Sequence, residues 1–473
     1  MLTKDLAMAI AQEAQRRIKI TRLHLAKVLT SVALAFAALV LCGASANGRT
    51  LYVSTDGSDD ATGTISNPLR TPAKGVARAS DGDTVLLRGG KYLVTRYITI
   101  DKPNLIFASY PGEVAAISGP TTDMGLVSII IVTANGVSLK GLDIQGSSYY
   151  GVKVDIHDGR PSSGVLISGC HIHDTGADCI KSYQSDGLTV EDCEIGPSGI
   201  RDPSDAEGID SVASIGVVIR RCYIHDTATN GVYLKGGARD GLIEACRIEN
   251  TSGFGGILLG QDTDLAFMRD GTKYEAVNCV ARNNIIVHTG AAGLGTYSGY
   301  NIRFENNTLY DVATKGQAAF WVVTNSRNVP PEHISFLNNI VVMTSPRPFV
   351  YVQNPVDKIT CDYNMYFATG GTYDFVVELT LGHQSYDKRN FISWKREMNV
   401  DLHSKTADPL LDLARQYRPR QGSPALRGGL NLEEVQQDFT GAKRARDAAY
   451  DIGAYQLSPS LISSGANRTA RHR

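Results

Sequence analysis

The run GVLISGCHIHDTGADCIKS at residues 164–182 decides the reading of this chain, because versions of it follow at once. GLTVEDCEIGP (187–197) leads to AEGIDS (206–211). Then come GVVIRRCYIHDTATNGVYLKGG (216–237) and GLIEACRIENTSGFGGILLG (241–260). Further turns read ARNNIIVHTGAAGLGTY (281–297), IRFENNTLYDVATKGQAAFWVV (302–323), HISFLNNIVVM (333–343) and KITCDYNMYF (358–367). Each unit is an alternating apolar run, a turn, a second apolar run, another turn and a short strand led by a small residue. A repeat of about 22 to 30 residues cannot close a core of its own and must stack on its neighbours.

Leucine-rich repeats would show a leucine ladder and a regular helical half, and neither is present. Three short strands per turn argue for an all-β fold, a right-handed parallel β-helix. Cys170, Cys193, Cys222 and Cys246 share one repeat position, which Asn307 and Asn339 take over further along. Side chains in one column of stacked coils lie roughly 4.8 Å apart, so asparagine amides can form a ladder. The cysteines read as small buried fillers of the same column; disulfides are permitted, though a straight column gives awkward bridge geometry. The segment 47–92, with a short amphipathic helix near 71–80, is expected to cap the first coil. Residues 423–456 form a closing segment, and 457–473 an unstructured tail.

The chain has 473 residues and a formal net charge of −1, so no global field argues for nucleic acid. Residues 1–46 read as a signal peptide. A basic stretch precedes the apolar run VLTSVALAFAALVL (28–41), and ASA (44–46) supplies small residues for cleavage. The mature protein is therefore expected to be secreted or periplasmic, monomeric, and free of stable membrane insertion.

Aligned by repeat, the short strands read ADCIKSY (177–183), AEGIDSV (206–212), TNGVYLK (229–235) and FGGILLG (254–260). Ile180, Ile209, Val232 and Ile257 should point inward. Lys181, Asp210, Tyr233 and Leu258 should point outward, as should Tyr183, Val212, Lys235 and Gly260. Asp178, Glu207 and Asn230 stack just before the strand. Three acids thus fall within two adjacent coils and would raise one another's pKa unless compensated. Calcium, a hard cation that takes six to eight oxygens, is one solution; a salt-bridged ladder with Lys181 and Lys235 is the other.

The overall pattern resembles the pectate-lyase-like superfamily. The order acid, acid–Gly–apolar–Asp, then Asn–Gly–apolar and Lys–Gly–Gly over successive coils resembles the family 9 polysaccharide lyases. That resemblance implies calcium held by Asp178, Glu207 and Asp210, with Asp205 as a further candidate, and Lys235 as the base. Lys181 is the next candidate base. The family's consecutive Asp-Asp is Ala206-Glu207 here, and its lysine falls where this chain has Tyr233. The implied activity is cleavage of an acidic, uronic-acid-containing polysaccharide by β-elimination. A lysine removes a proton only when neutral, and a nearby divalent cation disfavours its charged form. An alkaline optimum and inhibition by chelators follow. Tyr233 could protonate the leaving group, and Arg239, Arg269 and Lys273 could bind substrate carboxylates. Two other readings stay open: a non-catalytic β-helix that binds or helps export an exopolysaccharide, and a polygalacturonase-type hydrolase. The hydrolase would need paired carboxylic acids around a water, and its Asn-Thr-Asp and Gly-His-Gly signatures are missing.

Overall fold

The computed structural model describes residues 48–353, 357–371, 373–378, 386–444 and 448–457. The expected signal peptide lies outside the described residues, as does the tail beyond Leu457. No described helix is long and apolar enough to cross a membrane.

Three long sheets of 14, 12 and 12 strands run the length of the protein, and successive coils pair in parallel. This is the expected right-handed parallel β-helix. The second sheet carries the short strands aligned above, and its register shows why they matter. Val152, Ile180, Ile209, Val232, Ile257, Leu294, Phe320, Val350 and Phe375 pair coil to coil. All are fully buried. A stacked coil leaves each inward side chain only the space between those above and below it. β-Branched residues fill that space in the early coils and aromatics in the late ones. Phe320 stacks on Phe336 at 4.1 Å, and Phe375 on Trp394 at 5.3 Å.

The second internal column behaves as expected and extends further. Cys170, Cys193, Cys222 and Cys246 are buried free thiols, as are the other described cysteines. Asn284 then takes the position and accepts a hydrogen bond from the Cys246 amide at 2.9 Å. From there Asn284 donates to Asn307 at 3.0 Å, Asn307 to Asn339 at 3.0 Å, and Asn339 to Asn364 at 3.1 Å. The last amide donates to Asp401 at 3.2 Å.

Both ends of the stack carry a short helix. Pro72–Arg78 begins at an N-cap, Thr71, with proline in its first turn. Gly75 lets the helix approach the first coil, since a Cβ there would sit 2.8 Å from Val53 and from Val85. Near the C-terminal end, Phe391–Met398 places Trp394 against the aromatic column, fully buried. The segment 423–456 does not sit over this end. It packs along the outside of the third sheet, where Ala425 and Ile452 meet Ile340, Val342 and Met365.

Candidate functional site

The site grows from strand alternation on the second sheet. Lys181 pairs with Asp210 and Asp210 with Tyr233, while Val212 pairs with Lys235. These positions point away from the core, yet Asp210 is 0% and Tyr233 only 3% exposed. Tyr233 packs among Leu258, Ala292, Tyr297 and Trp321 of the following coils, and the loop 260–275 lies beside the row. Its Phe267 packs edge-on against Tyr183, with ring centroids 5.8 Å apart. The two glycines after Lys235 let that loop close. Both have positive φ; a Cβ on Gly236 would meet Val212 at 2.8 Å, and one on Gly237 would meet Thr272 at 2.7 Å.

One buried acid holds the loop in place. Glu275 accepts from the amides of Gly236 and Thr263, each at 3.1 Å, and pairs with Arg327 at 2.5 Å. The backbone turn beside Lys235 and the covering loop therefore share one carboxylate. Neither Glu275 nor Arg327 was visible as a site-building residue in the sequence. Their partners lie in loops of irregular length, where repeat alignment gives no register.

Asp178, Glu207 and Asp210 come together as the repeat alignment expected. Each offers a carboxylate oxygen within 4.8 Å of the others, and all three are buried. Burial and then the Glu207 charge push the Asp178 carboxyl well above the ordinary range. The Glu207 carboxyl is raised too, by burial and then by Asp210. Local bonds aim the group. Asp178 accepts the Glu207 amide at 2.9 Å, and one Glu207 oxygen accepts from Thr229 at 2.8 Å and Asn230 at 3.1 Å. Glu207 Oε2, Asp210 Oδ1 and the Asn230 side-chain oxygen are buried without a hydrogen-bond partner. Such oxygens are costly to leave bare. Two of these oxygens belong to the three-carboxylate group, so an oxygen-seeking cation there would meet bare ligand atoms, and the donor set fits a hard metal ion. Repeat alignment places Asn230 in this column, and the structure shows its side-chain oxygen buried without a partner.

The two lysines occupy different situations. Lys181 bridges the acids, bonded to Asp210 Oδ2 and 3.4 Å from Asp178 Oδ2. Burial works against its ammonium, but Asp210 and Asp178 outweigh that and raise its pKa above the usual lysine range. Lys235 reaches the cluster from one coil further, 3.6 Å from Asp210 Oδ2, with its Nζ 4.2 Å from the centre of the Tyr233 ring. Burial, and then the Asp210 charge, push the Tyr233 hydroxyl pKa well up.

The remaining candidates stand apart from the carboxylates. Asp205 is exposed on the loop before Ala206, outside the three-acid group. Arg239 pairs with Asp270 at 3.0 Å. Arg269 grips Asp186 through two nitrogens, one at 2.9 Å, and donates to the Ala213 carbonyl at 3.1 Å. Lys273 lies over Tyr274 and 3.5 Å from Glu332.

Comparisons with known proteins bear on the fold. Residues 51–194 match the Pel9A-like right-handed β-helix region, and residues 158–341 the general right-handed β-helix region. The chain is a right-handed parallel β-helix whose N-terminal part is similar to the Pel9A-like region. Its similarity to family 9 lyases also appears in single relatives. Pectate lyase PEL9 of Emericella nidulans is 37% identical over 108 residues, which is 21% of this chain and 25% of that protein. The uncharacterized protein YwoF of Bacillus subtilis is 34% identical over 158 residues, 31% of this chain and 34% of that one. The matched stretches thus span about a third or less of the length of these curated relatives. The crystal structure of pectate lyase Pel9A superimposes with a TM-score of 0.55 at 15% identity, covering 87% of this chain and 96% of that one. At that identity the likeness concerns the fold.

Proposed function

We propose that the protein is a secreted polysaccharide lyase. It would cleave a pectate-like polymer of 4-linked uronic acid by calcium-assisted β-elimination. The observation that carries this reading is the set of buried, unpartnered oxygens on Glu207 and Asp210 beside the amine of Lys235. Asp178, Glu207 and Asp210 would hold the ion, with the Asn230 oxygen at hand. Calcium there supplies charge stabilisation to the uronate carboxylate as its α-proton leaves.

The chain's own residues divide the remaining work. Lys235 Nζ accepts the C5 proton; the C4–O bond breaks, and a C4–C5 double bond forms in the new end sugar. Tyr233 or water returns a proton to the departing oxygen. Lys181, tied to two carboxylates, balances their charge and is the less available base. Arg239 and Arg269, paired with Asp270 and Asp186, would exchange those partners for substrate carboxylates. The leader directs the protein out of the cytoplasm, where such polymers are met, and it acts as a monomer.

One observation favours a second reading. Lys181 already neutralises part of the acidic group without any metal, as a non-catalytic polysaccharide-binding helix would need. Incubation with polygalacturonate, alginate and other uronans, with and without calcium, separates the possibilities. A lyase releases unsaturated uronate ends in the calcium arm only. A hydrolase releases saturated reducing ends, and a binding module retains polymer and releases neither.

A further inference from the structure

The motif IHDT occurs twice, at 172–175 and 224–227, on the outer side of the third sheet, and the proposed lyase chemistry does not use it. We propose that its first copy is part of a second metal site, formed by Asp143, His171 and His173, for a transition ion such as Zn2+. The inference is independent of the reading of the groove.

The strand His171–His173 places its two imidazoles on one face, because Ile172 between them points into the core and is fully buried. Parallel pairing sets His171 beside Asp143 and His173 beside Gln145, one coil earlier. A single carboxylate therefore meets both rings. Asp143 Oδ2 lies 3.3 Å from His171 Nδ1, and Asp143 Oδ1 lies 3.4 Å from His173 Nε2. The rings stack with centroids 3.9 Å apart, and the three ligand atoms lie within 4.8 Å of one another. A tetrahedral ion with bonds of about 2.0–2.1 Å holds its ligand atoms about 3.3–3.4 Å apart, which matches each imidazole–carboxylate distance, one to each Asp143 oxygen.

The outer partner of His173 completes the arrangement. His173 Nδ1 lies 2.7 Å from Asp174 Oδ2. An N–H donated there leaves the Nε2 lone pair facing Asp143, the second-layer carboxylate that metal-bound histidines commonly have. Asp174 reaches this position from a left-handed turn residue with φ 52°. The site is neither sealed nor fully solvated: side-chain exposure is 38% for His171, 14% for His173 and 22% for Asp143.

The second copy of the motif is an internal control. His225 Nδ1 contacts Asp226 at 2.7 Å, and His225 Nε2 faces Glu194 at 3.4 Å, as in the first copy. The residue two before it is Tyr223, which donates to Glu249. The fold thus builds one imidazole and one carboxylate in both places and adds a second imidazole in only one. Two nitrogens and one oxygen suit zinc, copper or nickel, whereas the all-oxygen groove suits calcium. An ion bound here would tie the coil of Asp143 to the coil of His171.

The test is zinc titration of the purified protein in saturating calcium, followed by calorimetry and by thermal unfolding. One equivalent of zinc should bind with a Kd in the micromolar range or below and raise the melting temperature. His171→Ala and His173→Ala should each weaken that binding by at least tenfold, and Asp174→Asn by about 10–100-fold. His225→Ala should leave it unchanged. Cobalt substitution provides a readout that does not depend on how well a variant folds. Visible absorption typical of four-coordinate cobalt should appear with the parent protein and vanish on zinc addition. Stoichiometric zinc binding that survives His171→Ala, or no zinc binding at all, would overturn the proposal.

Discussion

Among the described residues, two places that bury carboxylates treat them in opposite ways. At the C-terminal end of the asparagine ladder, Asp401 accepts from the Trp394 indole at 2.7 Å, Ser404 at 2.5 Å, and Tyr366 and Asn364 at 3.2 Å each. Burial pushes its pKa up, and those four partners pull it back. In the groove, Asp178 and Asp210 share one bridging lysine, and Glu207 and Asp210 each keep an oxygen with no partner. A buried acid with a full set of donors holds structure together; one with donors missing awaits a ligand. Burial alone does not distinguish them, and neither does acidity.

Substitution should expose that contrast most strongly at Asp210. Asp210→Asn keeps the shape and removes a charge that repels Glu207. Calcium affinity is expected to fall at least tenfold and uronan cleavage about a hundredfold, while unfolding without calcium occurs at an unchanged or higher denaturant midpoint. A loss of stability as large as the loss of activity would erase the distinction. Asp401→Ala should do the reverse. It strands the Trp394, Tyr366 and Asn364 donors and should cost about 3 kcal/mol in denaturant unfolding. Calcium affinity, measured well below the unfolding midpoint, should hold within about twofold.

Glu275→Gln probes an intermediate case, a satisfied acid beside the site. Loss of the Arg327 pair should destabilise by about 1–3 kcal/mol, and looser seating of the loop 260–275 should raise KM more than it lowers kcat. The smallest effect is a pH dependence. Glu305 is buried, one of its oxygens is unpartnered, and burial raises its pKa to about 7. Because the folded protein holds this proton more tightly than the unfolded chain does, the group stabilises the fold in acid. That contribution fades as pH rises from about 4.5 through about 7. Glu305→Gln should therefore flatten the stability profile across that window and raise stability at pH 8 by about 2 kcal/mol. An unchanged profile would show that the proton is not held.

Much of this was legible in the sequence because a parallel stack preserves register. Once the repeats are aligned, Lys181, Asp210, Tyr233 and Leu258 must be neighbours, and they pair in that order. The cysteine column was readable for the same reason. Legibility ended where the chain leaves the repeat. Loop 260–275 has no counterpart in the preceding coils, so neither its contact with Tyr183 nor the role of Glu275 could be aligned. The preference of Lys181 for two acids depends on side-chain reach, which alternation does not specify. Asp205, a further candidate that the resemblance implied, sits on an exposed turn. The histidines of the third sheet were visible as a repeated motif, but their shared carboxylate comes from a coil that the motif does not contain.

The central claim is that Lys235 acts as a base beside a calcium-holding carboxylate group. Its most direct test is unsaturated uronate production by the parent protein and by Lys235→Ala, both saturated with calcium. Calcium binding should be retained in the variant while the rate falls by about 10²–10⁴-fold, the range of a lost general base. A variant that binds calcium and still produces unsaturated ends at the parent rate would contradict the account.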